Sequence, residues 1–265
     1  MDAAVKQRGR GVSADHAEAV TRAIDEMRAG LGRAQPLAAL ARTGMFSPFH
    51  FHRIFRDTTA FTPARFLTAL RMAEARRLLL HSSMPVHRVG TRVGYTSNGG
   101  FITHFGRVVG MSPTRFRSLV RALGDTRAGE WLPSLPDVLD SPGETVVARH
   151  ASSVPASLAM SWLFTPGQPP GRPCTTSVGG GTSRIRLPRP PGPGAYWVVT
   201  MIVPAQSRIL DALVDDVPES YLVGRSRLSL NRQELRPVVV PVHLRRPERT
   251  DPPVAAVAPL CWSPM

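Results

Sequence analysis

From residue 13 to residue 124 the apolar positions recur at helical spacing, in short runs broken by polar turns. Ser13 is placed to cap a first helix reaching about Arg28, with Ala17, Val20, Ile24 and Met27 on one face and Gly30 as its stop. Pro36 suits the first turn of a short helix, Leu37 to Arg42. Ser47 followed by Pro48 predicts a capped helix start, and Phe51, Ile54 and Phe55 then form an inward stripe. Thr62-Pro63 repeats that signal and opens the longest helix, with Phe66, Leu70, Ala73, Leu78 and Leu79 able to face a core. Pro85 opens another short helix ending near Arg92 or Val93. Gly94 turns the chain, Ser97 caps a helix lined by Phe101, Phe105 and Val108, and Ser112-Pro113 starts a last helix reaching about Leu123.

After Gly124 the pattern changes. Of 26 prolines only five precede residue 125. Short apolar or alternating runs now lie between Pro/Gly turns: Thr145–Ala148, Ser157–Phe164, Arg184–Leu187, Tyr196–Val203, Tyr221–Val223 and Val238–Leu244. The predicted architecture has two domains, an all-α one followed by a β-rich, sandwich-like one. The expected boundaries are 1–125 for the helical domain, 126–143 for a linker and 144–265 for the β-rich domain. Pro188–Gly194 and Pro247–Pro253 read as loops or a frayed tail.

The helical half repeats itself. A shift of 50 residues places Gly44 on Gly94, Ser47 on Ser97, Phe51 on Phe101 and Phe55 on Phe105. It also places Pro63 on Pro113, Arg65 on Arg115, Phe66 on Phe116 and Arg71 on Arg121. These are turn, cap, core and helix-start positions, so what repeats is a folding unit.

Charge then narrows the partner. The chain carries 33 basic and 19 acidic side chains, formally +14. From Leu31 to Arg121 there are 14 arginines against only Asp57 and Glu74, whereas beyond residue 125 the two signs nearly balance. A focused positive field suits a polyanion, nucleic acid above all. Lys6 is the only lysine; arginine's fork matches phosphates and guanine edges. Two cysteines, Cys174 and Cys261, suggest neither a disulfide scaffold nor a zinc site. With no bilayer-length apolar stretch and no apolar signal core in residues 1–20, the expected location is the cytoplasm, away from membranes.

Short helix, turn, longer helix, twice over, is the arrangement that lays a second helix in a major groove of double-stranded DNA. The reading helices would be Ser47–Thr58 and Ser97–Val109. Candidate base-reading residues are Pro48, Phe49, His50 and Arg53 in the first unit and Asn98, Gly99, Thr103 and His104 in the second. Candidate backbone contacts are Ser47, Arg56, Arg65, Ser97, Arg107 and Arg115, with helix-start N–H groups holding phosphate. The helix opening at Thr62 spans about 19 residues, roughly 28 Å at ~1.5 Å per residue. Successive major grooves lie roughly 34 Å apart on one face of the duplex, so a helix of that length, plus the radii of its units, is of the right order.

These motifs resemble the AraC/XylS family of bacterial transcription regulators over about residues 31–123. The resemblance rests on Ser47-Pro48-Phe49-His50-Phe51-His52-Arg53-Ile54-Phe55, then Thr62-Pro63-Ala64-Arg65-Phe66, then Leu70 to Leu79. It continues through Val89-Gly90, Val93 to Ser97, Phe101, Phe105, Gly110-Met111-Ser112-Pro113 and Arg115-Phe116-Arg117. It implies a double helix-turn-helix that binds operators and changes polymerase recruitment or access, with RNA polymerase as a partner. Gly90 stands where the family has Ala, Thr103 where arginine is frequent, and Ala60 where a turn glycine is usual. Weaker contacts and a softer support helix are therefore expected in the second unit. Most members carry this domain C-terminally; here it comes first, and residues 145–262 do not resemble the family's sugar-binding barrel.

Other constellations have plainer readings. His50 and His52 point in different directions, and no cysteine joins them as metal ligands. Gly179-Gly180-Gly181-Thr182-Ser183 lacks the lysine of a phosphate cradle and reads as a hairpin loop. Phe51, Phe55, Phe101 and Phe105 read as core, as do Trp162, Tyr196 and Trp197. Asp215-Asp216 with Glu219 reads as a solvated loop. No catalytic set is legible, so no cofactor and no enzyme activity are expected. The β-rich half is expected to sense a small-molecule effector, to self-associate as a homodimer or to contact polymerase. The reading from another class is a small-molecule sensor or enzyme domain with accessory DNA binding, and a third is non-specific nucleoid binding.

Overall fold

A computed structural model of the chain describes residues 14–132, 146–149, 157–165, 175–180, 184–188, 190, 192–231 and 238–253. Seven helices form the N-terminal half: α1 (Ala14–Ala29), α2 (Leu37–Thr43), α3 (Pro48–Thr59), α4 (Pro63–His81), α5 (Val86–Arg92), α6 (Asn98–Val109) and α7 (Pro113–Leu123). Four of them start as their sequences predict. The hydroxyls of Ser47, Thr62, Ser97 and Ser112 accept from the backbone N–H of His50, Arg65, Gly100 and Arg115. Each cap satisfies a helix-start donor that would otherwise lack a partner, an effect of about 1 kcal/mol. Ser13, the expected cap of α1, lies outside the described residues.

The internal repeat is a packing repeat. Phe51, Phe55 and Phe66 make successive ring contacts at 5.6 and 5.4 Å, and Phe101, Phe105 and Phe116 do the same at 5.6 and 5.7 Å. All six are fully buried. The two copies differ at the turn. α2 and α5 are offset by 49 residues, α3 and α6 by 50, so the first turn is one residue shorter. Gly94 occupies the left-handed region at φ 90°, but in the first unit that conformation falls on Met45 at φ 58°, while Gly44 has φ −104°. The expected equivalence of Gly44 and Gly94 as turn glycines therefore does not hold.

A Cβ at Gly90 would meet the Phe101 side chain at 2.9–3.0 Å, so glycine lets α5 sit directly on the core aromatic.

The two units meet along α4. Arg71 of α4 donates from Nε to the carbonyl of Leu31 and from Nη2 to that of Arg33, on the α1–α2 loop. The same guanidinium lies under Gly94 of the second unit, where a Cβ would come within 2.8 Å of it.

The C-terminal half contains the short helices α8 (Ala128–Trp131) and α9 (Ile209–Leu213) and strands β1 (Val146–Arg149), β2 (Ser157–Phe164), β3 (Thr175–Gly180), β4 (Arg184–Leu187), β5 (Gly194–Pro204), β6 (Leu222–Leu230) and β7 (Val238–Pro241). They form a three-stranded sheet, β4-β1-β7, and a four-stranded sheet, β3-β2-β5-β6. β1 and β7 are parallel; the other pairings are antiparallel. Ala159, Leu163, Tyr196, Val198 and Ile202 pack with Val146, Ala148, Ile185 and Leu187 of the smaller sheet. On that inner face Ser161 and Thr200, paired in register, satisfy one another at 2.8 Å.

The opposite face of the larger sheet is not solvated. Leu158, Met160, Trp162, Met201, Val203 and Val223 share one core with Met72, Ala75, Leu79, Phe105, Val108 and Val120 of the helical domain. β2 is consequently buried along nearly its whole length rather than at alternate positions, because both its faces are covered. Pro204 and Pro241 close β5 and β7, where a missing N–H is tolerated.

Several expectations are corrected. Residues 126–132 of the presumed linker are tied down: Ala128 is fully buried, and its N–H donates to the Ser207 carbonyl while Gly129 N–H donates to Ala205. Gly179 and Gly180 belong to strand β3, not to a hairpin loop; residues 181–183 lie outside the described residues. β6 extends to Leu230, well past the Tyr221–Val223 run, and β7 stops at Pro241. Residues 247–253 form a loop, one of the two expected readings, and the loop is anchored rather than frayed. Asp251 accepts from Arg245 at 2.6 and 3.0 Å, and Arg249 reaches Asp25 of α1 at 2.7 Å.

Asp215 and Asp216 are not a solvated loop either. Asp215 lies 2.6 Å from His81 at the end of α4, and Asp216 accepts from the Tyr221 hydroxyl within the field of the buried Arg76; only Glu219 stays exposed. An acidic pair reads as loop from its neighbours along the chain, yet here the partner of Asp215 sits at the end of α4, 134 residues away.

Candidate nucleic-acid interface

In both units the buried stripe of the longer helix turns the other side outward. On α3, Pro48, Phe49, Arg53, Arg56 and Asp57 are exposed, with Phe49 at 84%. On α6 the exposed set is Asn98, Gly99, Gly100, Ile102, Thr103 and Arg107. The 50-residue offset superposes the two faces: Phe49 corresponds to Gly99, Arg53 to Thr103 and Asp57 to Arg107. The first face is bulky and carries a forked donor; the second is thin, and a Cβ at Gly99 would meet nothing within 4 Å.

The guanidinium groups of Arg53, Arg56, Arg107 and Arg115 hydrogen-bond to no protein acceptor among the described residues, so they remain available to an anionic partner. Ser47 and Ser97 sit exposed at the two helix starts, each engaged with a backbone N–H. Arg65 is half-buried beneath its own cap.

The histidines are placed differently from the exposed positions expected. His50 is half-buried, stacked on Phe46 at 5.2 Å and edge-on to His16 at 5.8 Å. Its Nε2 is buried without a partner. His104 is half-buried against Tyr95, whose hydroxyl lies 2.7 Å from Nδ1. Burial and the adjacent Arg107 hold the His104 imidazole below the usual histidine range. Both rings are thus partly covered by their own unit. A helical position read from periodicity cannot show this, because the burying partners, Phe46 and Tyr95, come from the preceding turns.

Two exposed apolar residues escaped the pattern. Met45, 93% exposed, sits at the tip of the first turn, and Ile102 is 37% exposed on α6. The only sequence signal for Ile102 was an apolar residue off the Phe101–Phe105–Val108 stripe. Arg42, Arg88 and Arg92 are also exposed on the supporting helices.

Among the described residues, no three His, Cys, Asp or Glu side chains gather as metal ligands, and no helix is long and apolar enough to cross a membrane.

Two three-helix units, each presenting a capped, arginine-bearing helix from a duplicated aromatic core, define the class: residues 40–118 match the helix-turn-helix domain family. This N-terminal domain matches transcriptional regulators of AraC/XylS type. The RCS-specific HTH-type transcriptional activator RclR of Escherichia coli K12 is 33% identical over 100 residues, covering 38% of this chain and 35% of RclR. The MmsAB operon regulatory protein of Pseudomonas aeruginosa is 36% identical over 95 residues, covering 36% of this chain and 31% of that protein. The DNA-binding domain of AdpA, solved in complex with a target DNA, is 31% identical and covers 42% of this chain and 97% of its own, with a TM-score of 0.37. The chain spans about a third of the length of the curated relatives it matches.

Proposed function

We propose that this protein is a sequence-specific regulator of transcription that reads double-stranded DNA through two adjacent major grooves. The observation that carries this reading is the paired outward faces of α3 and α6, mounted on duplicated cores on one 19-residue helix. In it Arg53 bonds a guanine edge, Phe49 packs on a thymine methyl and Asn98 reads adenine, all ordinary pairings of these side chains in a major groove. Arg56, Arg107 and Arg115 neutralise phosphates, and the α3 and α6 helix starts present N–H groups to the backbone. His50 and His104 support the reading surface from behind. The thin second face supplies less base contact, so the first half-site carries most of the sequence preference.

Bound there, the chain alters polymerase recruitment or access at a promoter. The smaller sheet, β4-β1-β7, faces away from the helices, and Val239 on it is 55% exposed; this is the surface for contact with polymerase or a second copy.

In vitro selection of DNA sites by the full chain tests the reading. A bipartite site with half-site centres about 10–10.5 base pairs apart is expected. A footprint confined to one groove segment, or no enrichment over random duplex, would refute it.

A further inference from the structure

The two helix-turn-helix units touch one sheet of the β-rich domain by different means. The second unit is held by apolar packing: Phe105, Val108, Val109 and Val120 share a core with Met160, Trp162, Met201 and Val223. The first unit is held through a charge. Arg225 of β6 reaches the C-terminal end of the first reading helix, donating at 2.7 Å to the carbonyl of Thr59 and at 2.9 Å to that of Thr58.

Those carbonyls are among the four that a helix end leaves without an intrahelical donor, and the negative end of the helix dipole favours a cation there. The guanidinium is largely withdrawn from water, which pushes its pKa down, and it lies 5.9 Å from the Trp197 ring centroid. Asp251, Glu248, Arg245 and Arg227 are the charged groups around it. α6 shows no matching polar cap from the β-rich domain among the described residues; its C-terminal end is closed by Gly110 N–H donating to the Gly106 carbonyl. The reading helices are thus anchored to a common sheet, one by a cap and the other by a core.

We infer that the β-rich domain sets the separation of the two reading helices, and that Arg225 is the positioning residue that locks the first of them to the sheet. This rests on the two-groove reading proposed above and adds to it: the C-terminal half would select the spacing between half-sites without touching DNA. α3 packs on α1, α2 and α4 through Phe51, Ile54 and Phe55, and all of these contacts lie within the helical domain. Arg225 ties the C-terminal end of α3, beside the Ala60 turn, to the β-rich domain.

The test compares full-length wild type, Arg225→Ala and Arg225→Lys on the selected bipartite duplex and on versions with the spacer changed by one or two base pairs. Wild type is expected to lose about tenfold or more on a mis-spaced duplex, the equivalent of one good base contact. Arg225→Ala should flatten that profile to within about threefold, and Arg225→Lys, which keeps the cation at the helix end, should restore part of it. Backbone amide exchange, measured without DNA, should rise in the last turn of α3 in Arg225→Ala and stay unchanged in α6.

An unchanged spacing profile overturns the inference. So does a uniform loss of affinity at every spacing, which would mean that Arg225 only stabilises its unit. If wild type itself shows no spacing preference, the two-groove reading fails. The exchange measurement still decides the coupling: selective loosening of α3 supports it, and equal exchange in α3 overturns it.

Discussion

The Nη1 of Arg76, midway along α4, donates a 2.6 Å hydrogen bond to the carbonyl of Leu213, joining the helix between the two units to the β-rich domain. Arg76 is 1% exposed, and burial lowers its pKa to about 10, against the opposing pull of Asp216 and Tyr221. Its Nε has no partner. Burial likewise pushes the Asp216 carboxyl above the usual aspartate range. Taking two charges out of water is tolerable only while they face each other. Arg76→Met should therefore cost about 3–5 kcal/mol in chemical denaturation, because it strands a buried carboxylate. Adding Asp216→Asn should recover a large part of that loss, and a double mutant no more stable than Arg76→Met would count against the pairing.

Two of the three non-glycine residues with a left-handed backbone among the described residues lie in the first unit. Met45 and Ala60 hold φ values of 58° and 65°, and the second unit uses Gly94 and Gly110 in these places. A left-handed conformation costs an L-residue roughly 1–2 kcal/mol, while glycine adds about 0.5–1 kcal/mol of unfolded-state entropy. Ala60→Gly and Met45→Gly should each raise stability by roughly 0.5–1 kcal/mol, visible as a higher melting temperature. A lower one would mean that the side chain contributes more than its strained backbone costs.

Under the proposed two-groove reading, Arg53 and Arg56 should separate in binding assays. Arg53→Ala should lose ~1–3 kcal/mol of discrimination between specific and random duplex. Arg56→Ala should weaken both duplexes alike and reduce the salt dependence by about one phosphate contact. Equal losses on both duplexes for Arg53→Ala would move that residue to the backbone set.

His104 makes the second unit sensitive to acid. Its folded pKa lies below the unfolded value near 6.5, so the unfolded chain binds the proton more readily. The stabilising contribution is present above that unfolded value and is lost as pH falls toward the folded one. Melting temperature should drop between neutral pH and mildly acidic pH, and His104→Gln should lessen the drop. An identical pH profile for the variant would remove His104 as its cause.

The helical domain was legible nearly residue by residue, because its signals are local. Ser47-Pro48, Thr62-Pro63, Ser97 and Ser112-Pro113 cap and start helices through groups within three residues of one another. The Phe51–Phe55 and Phe101–Phe105 pairs announce a buried face at one-turn spacing. α4 was legible in its ends and less so in its burial. Met72, Ala75 and Arg76 are buried alongside Phe66, Leu70 and Leu79, whereas Ala73 and Leu78 are only half-covered. A helix covered from several sides has no single apolar stripe to read.

His50 and His104 show the same limit within the candidate site. Their helical positions face outward by periodicity, and Phe46 and Tyr95 fold back over them from the turns before.

By itself, the sequence determined the two capped, duplicated helical units, the concentration of arginine upon them and the change to strands beyond residue 125, since each depends on residues close together in the chain. Tertiary structure alone decided that β2 is covered on both faces, that the buried Arg76 bonds the Leu213 carbonyl, and that Arg225 caps α3. The last two join groups more than 100 residues apart, and a charge reads as solvated until the partner that buries it is known.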